Sequence, residues 1–268
     1  MNHEKKTYVV TGASSGVGAA LAAFLTKQGA RIIAIDRAEP KAEMNKFINC
    51  DLTDPEQISA AVAAIDEPID GLVNVAGVPS NMSVDMIAKV NYLALRMLTD
   101  ALLPKIKDFG AVVNVASAAG AYWRKRTDVL NSLMKSASWD DALKIFQDQG
   151  YNSVVAYSVT KEAAIYYTMM VSSQERHRGI RVNSVSPGAV QTPILKDFYG
   201  SMDVNSLDRL RIHAGGRDGL AEEMCGPIGF LLGQDSRWVN GTDLLVDGGA
   251  EVTFHLGDLI RPAKQLSF

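Results

Sequence analysis

Cysteine is scarce in this chain. Cys50 and Cys225 are the only two among 268 residues, too few and too far apart for a disulfide framework, so a reducing compartment, the cytoplasm, is expected. The four histidines, His3, His177, His213 and His255, share no metal-ligand spacing with one another or with the cysteines, and no catalytic metal is expected. Long apolar runs are missing too: Met-Asn-His-Glu-Lys-Lys leads into an apolar stretch of a few residues, too short for a signal-peptide core or a bilayer span, and no later segment does better. Charge of one sign is not in excess. Twenty-seven basic against thirty acidic residues leave a formal net charge of −3, which argues against nucleic acid or an anionic membrane as a partner.

What is present is an ordinary globular composition, 47% hydrophobic and 21% charged, in a chain long enough to bury one large core. One domain spanning residues 1–268 is expected. Short β-branched or apolar runs alternate with longer amphipathic stretches, the signature of βαβ units. Strands are predicted at Thr7 to Thr11, Arg31 to Ile35, Lys46 to Cys50, Gly71 to Val75, Ala111 to Ala116, Arg181 to Ser186 and Asp243 to Val246. Helices are predicted at Gly18 to Gln28, Glu56 to Ile65, Met86 to Ile106, Ala156 to Arg178 and Ala221 to Leu232. The fold class is α/β, a Rossmann-type doubly wound parallel sheet of seven strands. Ala121 to Asn152 breaks the rhythm, and the spacings Val129/Leu133 and Leu130/Met134 predict one or two short amphipathic helices there. That insertion suits a lid or a subunit contact.

The first predicted strand ends in Thr11-Gly12-Ala13-Ser14-Ser15-Gly16-Val17-Gly18 and runs straight into a helical pattern. Glycines there let the backbone turn tightly against a pyrophosphate seated on the positive end of the helix, with Gly12, Ser14, Ser15, Gly16 and Val17 as its contacts. Asp36, at the end of the next strand, supplies a carboxylate for the adenosine ribose hydroxyls and repels a 2′-phosphate, favouring NAD over NADP. Arg37 beside it could neutralise such a phosphate. Tyr157 and Lys161 stand four residues apart in a helical stretch and so share one face. A cation beside a phenol favours the phenolate, so the pair reads as an acid/base device near neutral pH, while the same spacing by itself also occurs by chance on solvated helices.

Further along, Asp51-Leu52, Asn74-Val75-Ala76-Gly77, Asn91, Ser117 after Val-Val-Asn-Val-Ala, Tyr157 with Lys161, Pro187-Gly188 with Thr192, and Val-Asp-Gly-Gly at 246 to 249 follow in order. Together with the glycine loop they make the chain resemble the short-chain dehydrogenase/reductases up to about Gly249. The resemblance implies Tyr157 as general acid/base and Ser117 as the hydroxyl positioning the substrate oxygen. It implies Lys161 as the cation that lowers the phenol pKa and holds the nicotinamide ribose, and Asn91 as support of a proton-relay water. Asp51 and Leu52 would border the adenine, Asn74, Ala76 and Gly77 would line the cofactor cleft, and Pro187, Gly188, Val190 and Thr192 would flank the nicotinamide. Asn74 could instead cap a strand end, Ser117 could simply close its strand, and Pro187-Gly188 could be a plain turn.

The 40 residues from Ser117 to Tyr157 and the 17 from Asn74 to Asn91 depart from the common pattern. They resemble the subgroup containing bacterial 3α-hydroxysteroid dehydrogenase/carbonyl reductase and coniferyl alcohol dehydrogenase. The expected activity is NAD-dependent interconversion of a hydrophobic, cyclic or aromatic alcohol and its carbonyl compound, with a hydroxysteroid as the alternative substrate. A non-catalytic dinucleotide sensor is the other class, but it would have no chemical need of the four catalytic residues. Tyr122 and Trp123 are aromatic walls of a pocket or anchors of the insertion. The tail from Glu251 to Phe268, with Phe254, Leu256, Leu259 and Ile260, covers the site, reaches a neighbour or simply packs. The resemblance implies a homo-oligomer, and the insertion favours a dimer over a tetramer.

Overall fold

The computed structural model describes residues 2–193, 195, 208 and 211–256. Seven parallel strands make one sheet in the order β3-β2-β1-β4-β5-β6-β9. They are β1 (Thr7–Thr11), β2 (Arg31–Asp36), β3 (Lys46–Asn49), β4 (Ile69–Asn74), β5 (Ile106–Val115), β6 (Arg181–Pro187) and β9 (Asp243–Val246); the two-residue strands β7 (Val190–Gln191) and β8 (Gly219–Leu220) pair separately. Strands β1, β4 and β6 are buried along their whole length because helices cover both faces. On one face, α1 (Gly16–Lys27) packs against α8 (Ala221–Leu232). On the other lie α2 (Pro55–Ala63), α4 (Ala94–Leu102) and α7 (Ser153–Gln174). Each face has its own apolar cluster, the first around Leu21, Leu25, Ile32 and Val113, the second around Ile33, Leu72, Val112 and Tyr167.

Chain direction reverses between β1 and β4. From β1 the chain moves outward through β2 to β3, and from β4 it moves the other way through β5 to β6. A crevice opens beyond the carboxyl ends of the strands at such a point, and the glycine loop after β1 meets the ends of β4, β5 and β6 there.

Helix boundaries follow local chemistry. Asp54 caps α2 by accepting from the Glu56 and Gln57 amides, with Pro55 in the first turn, and Asn152 caps α7 by accepting from the Val155 amide at 2.9 Å. The helix expected from Met86 to Ile106 is instead three pieces: α3 (Val84–Ala88), a π-helical turn at Lys89–Leu93, and α4. It stops at Leu102 because Pro104 has no backbone N–H to donate back along the helix, and a 3₁₀ turn at Leu103–Lys105 leads directly into β5, five residues earlier than predicted. The insertion is two helices, α5 (Thr127–Lys135), which buries Leu130 and Leu133, and α6 (Trp139–Asp148), which buries Ala142 and Phe146. They pack on α3, the π turn and α7. The tail begins as a further helix, α9 (Ala250–Leu256); the expectations for Leu259, Ile260 and Phe268 lie outside the described residues. No helix among the described residues is long and apolar enough to cross a membrane.

Candidate active site

The glycine loop leaves β1 at the reversal point. Gly12 adopts φ +70°, donates its amide to Ile35 O at 3.0 Å, and approaches so closely that a Cβ there would lie 2.9 Å from the Ala76 Cα. A Cβ on Gly18 would lie 2.0 Å from the Gly12 carbonyl oxygen, so α1 stands directly against the loop only because both residues are glycine. Ser15 precedes α1 without a side-chain cap, and the first turn carries no acid. The leading amides therefore remain available to an anion. Thr11 braces the far side of the crevice, its Oγ1 accepting from the Val75 and Ala76 amides at 3.0 and 3.1 Å.

Asp36 ends β2 facing the loop. Its Oδ2 accepts from the Ser14 amide at 3.0 Å and the Ser14 hydroxyl at 2.7 Å, and Oδ1 accepts from the Ala38 amide at 3.0 Å. Ser14 thus orients the carboxylate, an indirect role compared with the pyrophosphate contact expected of it. Asp51 is exposed and spends Oδ1 on a turn with Thr53, while Leu52 is buried against the core. Arg37 is exposed.

Asn74 does not line the cleft. It is buried, and its Nδ2 donates to Thr99 Oγ1 at 2.9 Å and to Asn114 Oδ1 at 2.8 Å. Asn114 in turn donates to Thr168 Oγ1 at 2.9 Å. This polar chain ties β4 and β5 to α4 and α7, and a buried amide at a strand end needs such partners. Nothing in the spacing of Asn74 announced it; the asparagine inside Val-Val-Asn-Val was the available signal. Asn91 sits in the π turn, where its Oδ1 accepts from the Val78 amide at 2.7 Å and its Nδ2 donates to the Val78 carbonyl at 3.0 Å. Its side-chain amide therefore clamps the strand-to-helix loop.

Ser117, Tyr157 and Lys161 meet at the mouth of β5. Ser117 closes the strand by accepting from the Ala119 amide at 3.2 Å and is hydrogen-bonded to the Tyr157 side chain. Lys161 is buried, donates Nζ to the Val115 carbonyl at 3.1 Å and lies 5.8 Å from the centre of the Tyr157 ring. Burial pushes the lysine down to about 8. Burial also pushes the Tyr157 phenol above its ordinary value, with Ser117 pulling it back. The sequence-based expectation of a phenol lowered by its lysine is thus corrected: in the protein alone burial raises the phenol and only the Ser117 hydrogen bond opposes it.

These three residues line a cleft of about 450 Å³ with Gly12, Ser15, Gly16, Val17, Ala76, Gly77, Pro187, Gly188, Val190 and Thr192. Its outer wall brings in Tyr122 from the insertion, Val154 from α7 and Phe254 from α9. Trp123 turns away and packs on Tyr166, ring centres 5.6 Å apart. Of the two aromatics, Tyr122 is the wall and Trp123 the anchor.

Over 258 residues, 95% of this chain and the whole of the relative, the sequence is 36% identical to a coniferyl-alcohol dehydrogenase of Pseudomonas sp. (strain HR199 / DSM 7063). The chain belongs to the short-chain dehydrogenase/reductase family. The family model for short chain dehydrogenase matches residues 6–129, and that for enoyl-(acyl carrier protein) reductase matches residues 143–251. The chain is also 28% identical to 3-alpha-hydroxysteroid dehydrogenase/carbonyl reductase of Comamonas testosteroni, over 91% of its length and 95% of that protein. Among solved structures, the 3-alpha-hydroxysteroid dehydrogenase from Pseudomonas sp. B-0831 complexed with NADH superposes with a TM-score of 0.79 at 29% identity, covering 94% of this chain and 99% of that one.

As a short-chain dehydrogenase/reductase the protein is an oxidoreductase of a family that binds NAD(P). The residues fit a dinucleotide: a glycine-lined crevice that any Cβ would fill, an uncapped helix start for the diphosphate, and a carboxylate at the ribose end.

Proposed function

We propose that this short-chain dehydrogenase/reductase is an NAD-dependent enzyme interconverting a hydrophobic, ring-bearing alcohol and its carbonyl compound, with Tyr157 as general acid/base. The observation that carries this reading is the meeting of Ser117, Tyr157 and Lys161 with the glycine loop in one cleft. Gly12, Gly16, Asp36, Gly188 and Thr192 would hold NAD, which supplies a hydride acceptor or donor when bound. Ser117 and Tyr157 grip the substrate oxygen, and the phenol takes the alcohol proton or returns it to the carbonyl oxygen. Lys161, fixed by Val115, holds a donor beside the phenol and lends its charge to the phenolate when that forms. Asp36, already aimed by Ser14, favours NAD over NADP.

Tyr122 and Phe254 support a ring-bearing substrate, since they give the outer cleft aromatic surface. A 3α-hydroxysteroid is the second reading, favoured by the similarity to hydroxysteroid dehydrogenases. NADH formation from coniferyl alcohol, a 3α-hydroxysteroid, a cyclic alcohol and a sugar alcohol separates these readings. Turnover of the sugar alcohol alone would refute both.

The assembly we propose is a homodimer. Helices α5 and α6 cover the outer surface of α3 and α7, and the sheet edge at β9, preceded by the 98% exposed Trp238, is the contact surface of this assembly. Cytoplasmic residence fits two free, buried thiols, both pushed up to about 11 and therefore protonated.

A further inference from the structure

Glu162 follows Lys161 on α7, is fully buried, and takes no part in the chemistry above. Its Oε1 accepts from Nη1 of Arg126 at the start of the insertion, and its Oε2 has no hydrogen-bond partner among the described residues. A buried carboxylate with one oxygen unsatisfied costs stability, so its cation partner is held firmly.

Two further contacts tie the same segment to α7. Gly120 presses so tightly on the helix that a Cβ there would lie 3.0 Å from the Lys161 carbonyl oxygen and 2.8 Å from Ile165 Cδ1. Trp123 packs on Tyr166. Residues 120, 123 and 126 thus meet α7 at Lys161, Tyr166 and Glu162, and short turns join them: Lys125 N donates to Tyr122 O at 2.9 Å and Arg126 N to Trp123 O at 3.1 Å. Tyr122 is the residue of this stretch left over for the cleft. It is 41% exposed, and its ring stands edge-on to His255 of α9 at 6.4 Å, beside Phe254.

We infer that the Arg126–Glu162 pair is a latch that positions Tyr122 as a wall of the substrate pocket opposite α9, making Glu162 a specificity-determining residue for planar ring substrates. The inference rests on the proposed ring-bearing substrate. Glu162 is a positioning residue: it acts through Arg126 and Tyr122 and touches no reacting atom. Binding energy of a ring against an aromatic wall depends on contact within a few tenths of an ångström, so loosening a turn that carries the wall weakens ring binding selectively.

The test is calorimetric binding of cinnamyl alcohol, with and without NADH, which requires no turnover and so stands apart from the activity assay of the proposed function. Wild type is expected to bind, Glu162→Gln to bind about tenfold more weakly, and both to bind NADH alike. Tyr122→Ala should show the same loss, and Tyr122→Ala with Glu162→Gln no further loss. If Glu162→Gln fails to fold, Arg126→Met answers instead, because a buried carboxyl without its cation takes up a proton and stays neutral. Undiminished cinnamyl alcohol binding in the latch variant, losses that add to that of Tyr122→Ala, a parallel fall in NADH affinity, or no binding by wild type would each overturn the latch.

Discussion

The Lys161 ammonium donates to the Val115 carbonyl at 3.1 Å, while the Tyr157 ring centre lies 5.8 Å away. The lysine is therefore anchored to the end of β5 and presented to the cleft from a fixed point. Anchoring inside the protein has an electrostatic cost, visible in the fall of its pKa from 10.5 to about 8.

That cost makes a pH prediction. The folded-state pKa lies below the unfolded value, so between about pH 8 and 10.5 the unfolded chain holds more protons and stability rises with pH. The burden at neutral pH is on the order of 3 kcal/mol. Lys161→Met removes it, so urea titrations should show the variant gaining on wild type below pH 8 and the gap narrowing toward pH 10. A gap independent of pH would contradict the assignment.

The proposed NAD preference rests on Asp36, whose Oδ2 carries both Ser14 hydrogen bonds. Asp36→Ala removes the ribose acceptor and the charge that repels a 2′-phosphate. NADH should bind roughly 10–100-fold more weakly, the scale of a hydrogen bond to a charged group, while NADPH gains on it. Fluorescence titration of both nucleotides measures this; tighter NADPH binding to wild type would refute the NAD preference.

Gly18 is a separate test of the loop. An alanine Cβ would stand 2.0 Å from the Gly12 carbonyl oxygen, a backbone atom that cannot yield without moving the loop. Gly18→Ala should cost ~1–3 kcal/mol in denaturant unfolding and weaken NADH at least tenfold. Unchanged NADH affinity would show that the loop is not the diphosphate site.

The proposed homodimer is tested at Trp238. Replacing this exposed ring with glutamate should convert a dimer to monomer in size-exclusion chromatography with light scattering, without altering the unfolding midpoint. A dimer that survives Trp238→Glu must use another face.

Much of this was legible in the chain because it lies in local pattern. The glycine loop, the βαβ alternation and the Tyr157–Lys161 spacing are short-range signals, and all seven sheet strands stand where periodicity put them, with shifted ends. What escaped depended on tertiary surroundings. Asn74 looked like a cleft residue until Thr99 and Asn114 claimed its amide. Burial, which no spacing reveals, reversed the expected direction of the Tyr157 pKa. Pro104 had the information to end its helix early, but the apolar run across it masked the signal. Tyr122 and Trp123 are adjacent and chemically alike, and only the packing of Trp123 on Tyr166 decides which one faces the cleft.

The central claim is tested most directly by following NADH absorbance at pH 8 with coniferyl alcohol and NAD⁺, wild type beside Tyr157→Phe. Loss of general acid/base catalysis by the phenol should lower kcat by ~10²–10⁴-fold with NADH affinity retained. Equal turnover by the two proteins would contradict the account.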